Sequence, residues 1–382
     1  MAGLSMQSTE IIVIGAGPAG STAACLLARS GAKVVLTDRA AFPRKKLCGG
    51  CLSQAGFNLL EANRLATLPT LACSPIIDRL DLHSSIRRMS LSVPPYRVID
   101  RASFDNDLVH AATEAGARFQ PETIAHVRPD YTVELTRSGQ DTETLTARVI
   151  IVADGIKGAA LQNVGGFSWR VDRDARVGLG AMVSALPSGC APDAITMFHG
   201  PSGYAGIAPL HTGQALIAAA VDPAWVGMPH DASPLIALFR ELGLGIDPDT
   251  PLCITGGAPG LTRTRESIEA DGRVFLIGDA TGYIEPFTGE GMTWALQDAC
   301  MIARHASAIL AGRYTLGTWT AQHRRVNRRR KALCLLSTRL LRKPRLTRAM
   351  MSVSSSTPLL TKAIAGAVYA LQHYDLPETS IA

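Results

Sequence analysis

The sequence predicts an α/β protein with a doubly wound parallel sheet, an antiparallel sheet forming a second domain, and a helical C-terminal segment. Three observations carry this expectation. A strand–glycine–helix–strand–acid unit fills residues 11–38. An apolar strand runs into Gly278-Asp279-Ala280, 263 residues after Gly15. Between them, residues 177–221 alternate with a period of two, punctuated by turns.

Ile11, Ile12, Val13 and Ile14 are successive apolar β-formers, as a strand buried on both faces requires. Gly15-Ala16-Gly17-Pro18-Ala19-Gly20 follows at once. Gly15 suits a tight turn, Gly17 lets the backbone approach a pyrophosphate, and Gly20 lets the next helix lie close to the sheet. Pro18 suits a first helical turn, where its missing N–H is no loss. The helix expected over Ala19–Arg29 would aim its N-terminal N–H groups at phosphate. A second strand, Lys33–Thr37, ends in Asp38, 23 residues beyond Gly15, where a ribose-binding carboxylate is expected. These features in register point to a dinucleotide site rather than to loop glycines.

A chain of 382 residues, 47% hydrophobic and 18% charged, has the composition of a folded protein and the length of two domains. Its opening, MAGLSMQSTE, lacks the basic-then-apolar pattern of a secretory leader. The run Ala363–Leu371 falls far short of the roughly 20 apolar residues a spanning helix needs. The expected location is cytoplasmic, with a peripheral position at a membrane left open. Of eight cysteines only Cys48 and Cys51 stand close together, and no His cluster completes a metal site, so no metal is expected. Residues 299–374 hold 14 of the 38 Lys and Arg residues and none of the 32 Asp and Glu, so one end is basic and the rest net acidic.

After Asp38 the chain reads Arg39-Ala40-Ala41-Phe42-Pro43-Arg44-Lys45-Lys46-Leu47-Cys48-Gly49-Gly50-Cys51. Gly49-Gly50 offers a bare backbone that can approach a flat ring. The C-x-x-C spacing reads either as a redox pair with thiols acidified by nearby basic residues or as a loop cysteine and a small packing residue; the second is preferred. Residues 76–93 alternate and suggest a two-stranded excursion closed by Pro94-Pro95. Asp100-Arg101 opens an amphipathic helix with Phe104, Leu108, Ala111 and Ala112 on one face, ending at Gly116. A meander (123–127, 131–136 and 145–152) leads to Ala153-Asp154-Gly155. Residues 233–242 suggest a short helix, and 251–258 a return toward the first domain. Pro286 and Gly289-Glu290-Gly291-Met292 lead into a helix over 293–310, whose N-terminal N–H groups can polarise a bound group.

From Phe42 to Gly50, at Arg101-x-x-Phe104-Asp105, and at Gly278-Asp279, the sequence resembles the geranylgeranyl-reductase-like branch of the flavoprotein superfamily that includes p-hydroxybenzoate hydroxylase. The resemblance runs from about Ile11 to Leu310, strong at its ends and thin in the middle. It implies a discontinuous FAD-binding domain (1–75, 99–165 and 270–312), a substrate domain (76–98 and 166–269) and a basic, mainly helical C-terminal segment (313–382). It implies non-covalent FAD held by Gly15, Gly17, Pro18, Ala19, Gly20, Asp38, Arg39, Lys46, Cys48, Gly49, Gly50, Arg101, Asp154, Gly278, Asp279, Pro286, Gly289, Glu290, Gly291 and Met292. In this branch the arginine corresponding to Arg101 reaches the flavin cofactor and the aspartate corresponding to Asp279 bonds the ribityl chain. The stretch 203–210 resembles a strand lining the substrate cavity. The chain departs from the branch's Gly-Ala-Asp-Gly-x-x-Ser pattern, with Val152 for the first Gly and Gly158 for the Ser.

The resemblance implies an FAD-dependent oxidoreductase. The main reading is a reductase passing hydride from reduced flavin to a hydrophobic isoprenoid or lipid-like substrate. The alternative is a monooxygenase hydroxylating an aromatic or polyketide compound; a third is a flavin-bearing electron-transfer partner. The Cys-Gly-Gly loop favours the first. A flavin-dependent halogenase is disfavoured, because Trp-x-Trp-x-Ile-Pro is absent. No second G-x-G-x-x-G unit exists, so NAD(P)H would visit transiently or electrons would come from another protein. Cys48 and Tyr204 are the catalytic candidates, each also read as a cavity wall. From His323 to Arg348, Arg clusters interleave with Leu333, Leu335, Leu336, Leu340 and Leu341. That stretch reads as a solvated helix face or as a dock for an anionic membrane surface or an acidic carrier protein. Nucleic acid is not expected, since no aromatics interleave with the cluster.

Overall fold

The computed structural model describes residues 7–343 except 47, 85–87, 231–232, 245, 247–251, 259, 286, 288 and 314. The opening unit is β1 (Gln7–Ile14), α1 (Pro18–Arg29) and β2 (Val34–Thr37), close to its expected bounds. Next come β3 (Cys51–Ser53), α2 (Gln54–Ala62), α3 (Pro69–Cys73) and the antiparallel pair β4 (Ile76–Ser84) and β5 (Arg88–Val98). Helix α4 (Arg101–Glu114) leads to β6 (Arg118–Gln120), β7 (Thr123–Val127), β8 (Val133–Arg137) and β9 (Glu143–Val152). Then follow β10 (Trp169–Val171), β11 (Val177–Val183), β12 (Ile195–His199), β13 (Gly203–Pro209) and β14 (Ala215–Val221). After α5 (Pro223–Val226), α6 (Pro234–Glu241) and β15 (Leu252–Ala258) the chain makes short β16 (Arg263–Arg265), β17 (Glu269–Ala270) and β18 (Val274–Leu276). A 3-10 turn at Gly278–Thr281, β19 (Gly282–Tyr283), α7 (Gly291–Leu310) and α8 (Thr318–Leu341) complete it.

The first sheet runs β17-β18-β9-β1-β2-β6, with β8 beside β9 and β7 beside β8. From β18 to β6 the pairings are parallel. Ile11–Val13 of β1 and Val149–Val152 of β9 are fully buried. Such strands need cover on both faces, which is why they read as unbroken Ile/Val runs. On one side α1 packs against both α7 and α4.

The second sheet runs β15-β11-β14-β13-β12-β4-β5-β3, antiparallel except where β12 meets β4 in parallel. Here alternation decides the faces. Ala205, Ile207, Ile217, Ala219 and Val221 pack with Leu238 and Phe239 of α6, while the intervening Tyr204, Gly206, Ala218 and Ala220 line a cavity.

Two local expectations are corrected, and a third feature was not anticipated. Pro94 and Pro95 do not close the excursion but lie inside β5, within a register shift between the partners of Ile77 and Arg79. A bulge tolerates residues without an N–H to donate. Residues 252–258 do not return to the first sheet; they form the edge strand β15 beside β11. The short β3 joins the second sheet through β5, because the loop before it crosses between the sheets.

The basic segment is helical through α8, and its buried stripe is largely polar: Trp319, His323, Asn327, Arg330, Cys334 and Thr338 recur every three or four residues. Arg324, Arg325, Arg328 and Arg329 face outward, with Leu333 and Leu336 exposed beside them. Pro344, Arg345, Arg348 and the apolar tail lie outside the described residues. Trp319 is fully buried and its Nε1–H donates to the Leu276 carbonyl at 3.2 Å. Trp319→Ala is expected to cost about 3–5 kcal/mol, read as a lower urea midpoint at unchanged slope. Trp319→Phe, which keeps most of the packing, should lose only about 1 kcal/mol.

Candidate active site

A cavity of about 690 Å³ opens between the carboxyl ends of the parallel strands and the inner face of the second sheet. This is where a doubly wound sheet receives ligands. At its first end, Gly15 has φ 103°, and a Cβ there would stand 2.4 Å from the Ala153 carbonyl oxygen. Gly20 sits beneath the turn, where a Cβ would lie 1.9 Å from the Gly15 oxygen. It is the contact that lets α1 approach the sheet. The Asp38 carboxylate accepts from the Ala16 N–H at 2.8 Å and the Ala40 N–H at 2.9 Å. Arg44 bridges Asp38, at 3.7 Å, and the fully buried Asp105, at 3.1 Å. Arg101 closes the chain of charges with two bonds to Asp105, at 2.8 and 2.9 Å. Arg101 is buried rather than solvated, and it also bonds Cys48.

At the other end the chain from β18 enters the cavity at Gly278-Asp279, facing Lys46. Burial pushes the Lys46 amine down, with Arg101 adding to this and Asp279 opposing it. Burial also raises the Asp279 carboxyl, against the pull of Lys46 and Arg101. The Tyr204 phenol is held well above its usual range by burial and the neighbouring Glu285. Its ring meets Phe287 edge-on at 5.2 Å.

Glu290 is fully buried beneath the loop preceding α7. Ser53 Oγ donates to its Oε2 at 3.0 Å, and Tyr96 O–H to its Oε1 at 3.4 Å. Burial pushes this carboxyl up to about 7, although those bonds pull the other way. Cys48 and Cys51 are free thiols. Burial, with Cys48 and Glu290 nearby, pushes Cys51 up to about 12, and its Sγ–H donates to the Gly49 carbonyl at 3.4 Å. That is a packing cysteine, not a thiolate nucleophile.

Of the expected residues, Gly15, Gly17, Pro18, Ala19, Asp38, Arg39, Lys46, Cys48, Gly49, Gly50, Arg101, Asp154, Gly278, Asp279, Gly289, Gly291, Met292 and Tyr204 line the cavity. Gly20 and Glu290 are turned away from it, and Pro286 lies outside the described residues. Arg44, Tyr96, Tyr283 and Phe287 also line it. Arg44 was legible, standing inside the Phe-Pro-Arg stretch; Tyr96 of β5, and Tyr283 and Phe287 of the stretch before α7, carry no spacing signal. Among the described residues no group of three His, Cys, Asp or Glu side chains is arranged to hold a metal.

The donor set fits a flavin dinucleotide. Both α1 and α7 begin at the cavity with no side-chain cap and no acid in the first turn, which leaves N–H donors for an anion or a polar ring edge. A Cβ at Gly291 would meet nothing within 4 Å, so that approach is open. Asp38 supplies a carboxylate beside the glycine turn. These features define a doubly wound flavoprotein.

Comparison with known proteins agrees. The family described as FAD binding domain matches residues 8–198 and 262–332. Menaquinone reductase of Mycobacterium tuberculosis (strain H37Rv) is 28% identical over 88% of this chain and 86% of its own length. Digeranylgeranylglycerophospholipid reductase 1 of Methanopyrus kandleri is 27% identical over 75% and 77%. An uncharacterised protein of Methanosarcina barkeri is 29% identical over 41% of this chain, which spans 39% of that relative's length. A flavoprotein/dehydrogenase from Cytophaga hutchinsonii shares the fold with a TM-score of 0.80 at 17% identity, over 95% of this chain and 92% of its own. The chain belongs to the FAD binding domain family and is an FAD-dependent oxidoreductase.

The structure also accounts for Gly158, which replaces the expected Ser. A Cβ at 158 would stand 1.9 Å from Asp154 Cγ, because that carboxyl folds over the glycine to accept from the Ala160 N–H at 3.0 Å. Gly158→Ala and Gly158→Ser should therefore destabilise equally, by about 1–2 kcal/mol in urea unfolding, as the buried bond is lost. A Ser that matched wild type while Ala did not would show the hydroxyl replacing it.

Proposed function

We propose that this oxidoreductase is a reductase that passes hydride from reduced FAD to a hydrophobic, lipid-like substrate. One observation carries the reading: among the described residues, the second sheet contributes only uncharged ones to the cavity, among them Leu80, Val93, Ile195, Met197 and Tyr204. The relatives named as reductases of menaquinone and of a geranylgeranyl phospholipid support it. Residues 1–75, 99–165 and 270–312 are assigned to the cofactor, and 76–98 and 166–269 to the substrate. In this assignment the α1 N-terminus and Arg44 take the pyrophosphate, Asp38 a ribose, and Asp279 the ribityl chain. Gly49-Gly50 and Gly291-Met292 border the ring. FAD when bound supplies the hydride chemistry. Tyr204, kept protonated by burial, and Cys48, held by Arg101, wall the reacting space. NADPH or NADH is assigned as a visiting donor. With NADPH as donor and menaquinone or a geranylgeranyl lipid as probe, substrate-dependent NADPH oxidation should continue in the absence of oxygen. A strict requirement for oxygen would favour the hydroxylase instead.

We further propose that α8 docks the enzyme on an anionic membrane surface. Its outward Arg324, Arg325, Arg328 and Arg329 lie beside exposed Leu333 and Leu336, a basic face with an apolar edge. Each such charge near an anionic bilayer is worth about 1 kcal/mol. Arg330 points inward, so it takes no part in this face. Co-sedimentation with phosphatidylglycerol vesicles should be strong at low salt, weaken as salt rises, and be lost when the four outward arginines become glutamine. Absence of binding at low salt leaves a solvated face.

A further inference from the structure

Glu290 is a buried carboxyl that the chemistry so far does not use. It occupies the N-cap of α7 without capping it: the side chain turns away from the helix's own N–H groups toward Ser53 and Tyr96. Its chain neighbours Gly289, Gly291 and Met292 all line the cavity. The carboxyl therefore lies just behind the positive end of a 20-residue helix whose first turn opens on the cofactor space. An ionised Glu290 cancels part of that positive end. A neutral one leaves it whole.

We propose that Glu290 tunes the reduction potential of the bound FAD through the N-terminus of α7, without touching the cofactor. Reduction adds negative charge to the ring, and a positive helix end stabilises it. A carboxylate behind that end therefore lowers the potential, and its protonation restores it. The groups facing Glu290 are Ser53 and Cys51 of β3, Tyr96 of β5, Thr293 of α7 and Arg330 of α8. Arg330 brings a full positive charge, and its attraction favours the ionised form. Ser53 favours that form by a direct bond, and also contacts Thr293 Oγ1 at 2.8 Å. The carboxyl changes charge near pH 7, since burial has raised it to about that value. The inference needs FAD in this cavity but no particular substrate, so it stands or falls separately from the reductase reading.

The test is the midpoint potential of the purified holoenzyme, measured by dye equilibration across the pH range and compared with Glu290→Gln. The two potentials should coincide well below pH 7 and separate above it, wild type lying lower. Equal potentials throughout, or a constant offset with no dependence on pH, overturn the proposal. Should Glu290→Gln fail to retain FAD, Ser53→Ala decides the matter. Losing the Ser53 bond should move the break in the wild-type profile to higher pH; a break that stays in place overturns the proposal.

Discussion

The Asp38 carboxylate is the joint on which the site depends. By accepting from the Ala16 and Ala40 N–H groups it ties the glycine turn after β1 to the chain leaving β2. Through Arg44 that joint extends to Asp105, and through Asp105 to Arg101 at the start of α4. Two stretches far apart in sequence thus share one run of alternating charges, to which the glycine turn is tied through the Ala16 N–H. A buried carboxylate such as Asp105 is tolerable only because two guanidinium groups satisfy it. Removing one partner of such an arrangement typically costs about 3–5 kcal/mol, most of it the penalty for an uncompensated charge. The run therefore fixes geometry more than it adds stability. It holds Arg44 across the α1 N-terminus, where its Nη2 would lie 3.3 Å from a Cβ at Gly17.

That geometry explains why the glycines differ in kind. Gly15 and Gly20 are needed for packing, since backbone atoms already occupy the space a side chain would take. Gly17 and Gly291 are different: what a side chain would fill there is the approach to the cavity. Gly50 belongs with the first pair, because a Cβ would meet Leu216 at 2.4 Å and the Ile99 carbonyl at 2.8 Å. The loop from Phe42 to Gly50 is thus pinned to the second sheet at one end and to Asp38 at the other.

Local pattern carried much of the fold. Ile/Val runs, period-two stretches and the Asp100 cap, which accepts from the Ala102 and Ser103 N–H groups, each corresponded to an element within a few residues. What failed depended on partners distant in sequence. Pro94-Pro95 looked like a stop because proline breaks a ladder, yet a register shift at that point, with the extra residues on β5 itself, removed the need for a donor. The edge position of β15 and the membership of β3 in the second sheet are pairing facts that no single strand encodes. At the site, motif residues were legible by spacing. Tyr96, Tyr283 and Phe287 were not: Tyr96 reaches the cavity from β5, and Tyr283 and Phe287 stand at positions before α7 that no glycine or charge spacing marks. Glu290 lay in the right motif, but its side chain points into the core, which spacing along the chain does not reveal.

The C-terminal helix shows the same limit most clearly. In sequence it is a basic run with leucines, and the leucines invite the inference that they form its buried side. In the structure Leu333 and Leu336 are exposed and the buried side is largely polar, because it meets polar groups of the cofactor turn and of α7. Trp319 donates to the Leu276 carbonyl, and His323 Nε2 lies 3.3 Å from the Asp298 carboxylate, which in turn accepts from the Gly278 N–H at 2.9 Å. At the far end Arg342 approaches Glu285 at 3.9 Å, the same carboxylate that meets Arg176 at 3.2 Å and lies beside Tyr204. Two of these anchors, Leu276 and Glu285, fall on residues 276–285, the stretch that presents Asp279 to the cavity, and the third, Asp298 of α7, grips that stretch through the Gly278 N–H. A segment that reads as an appendage is therefore a brace: α8 fixes from behind the turn that the cavity uses in front, and its charged outer face is free for another purpose.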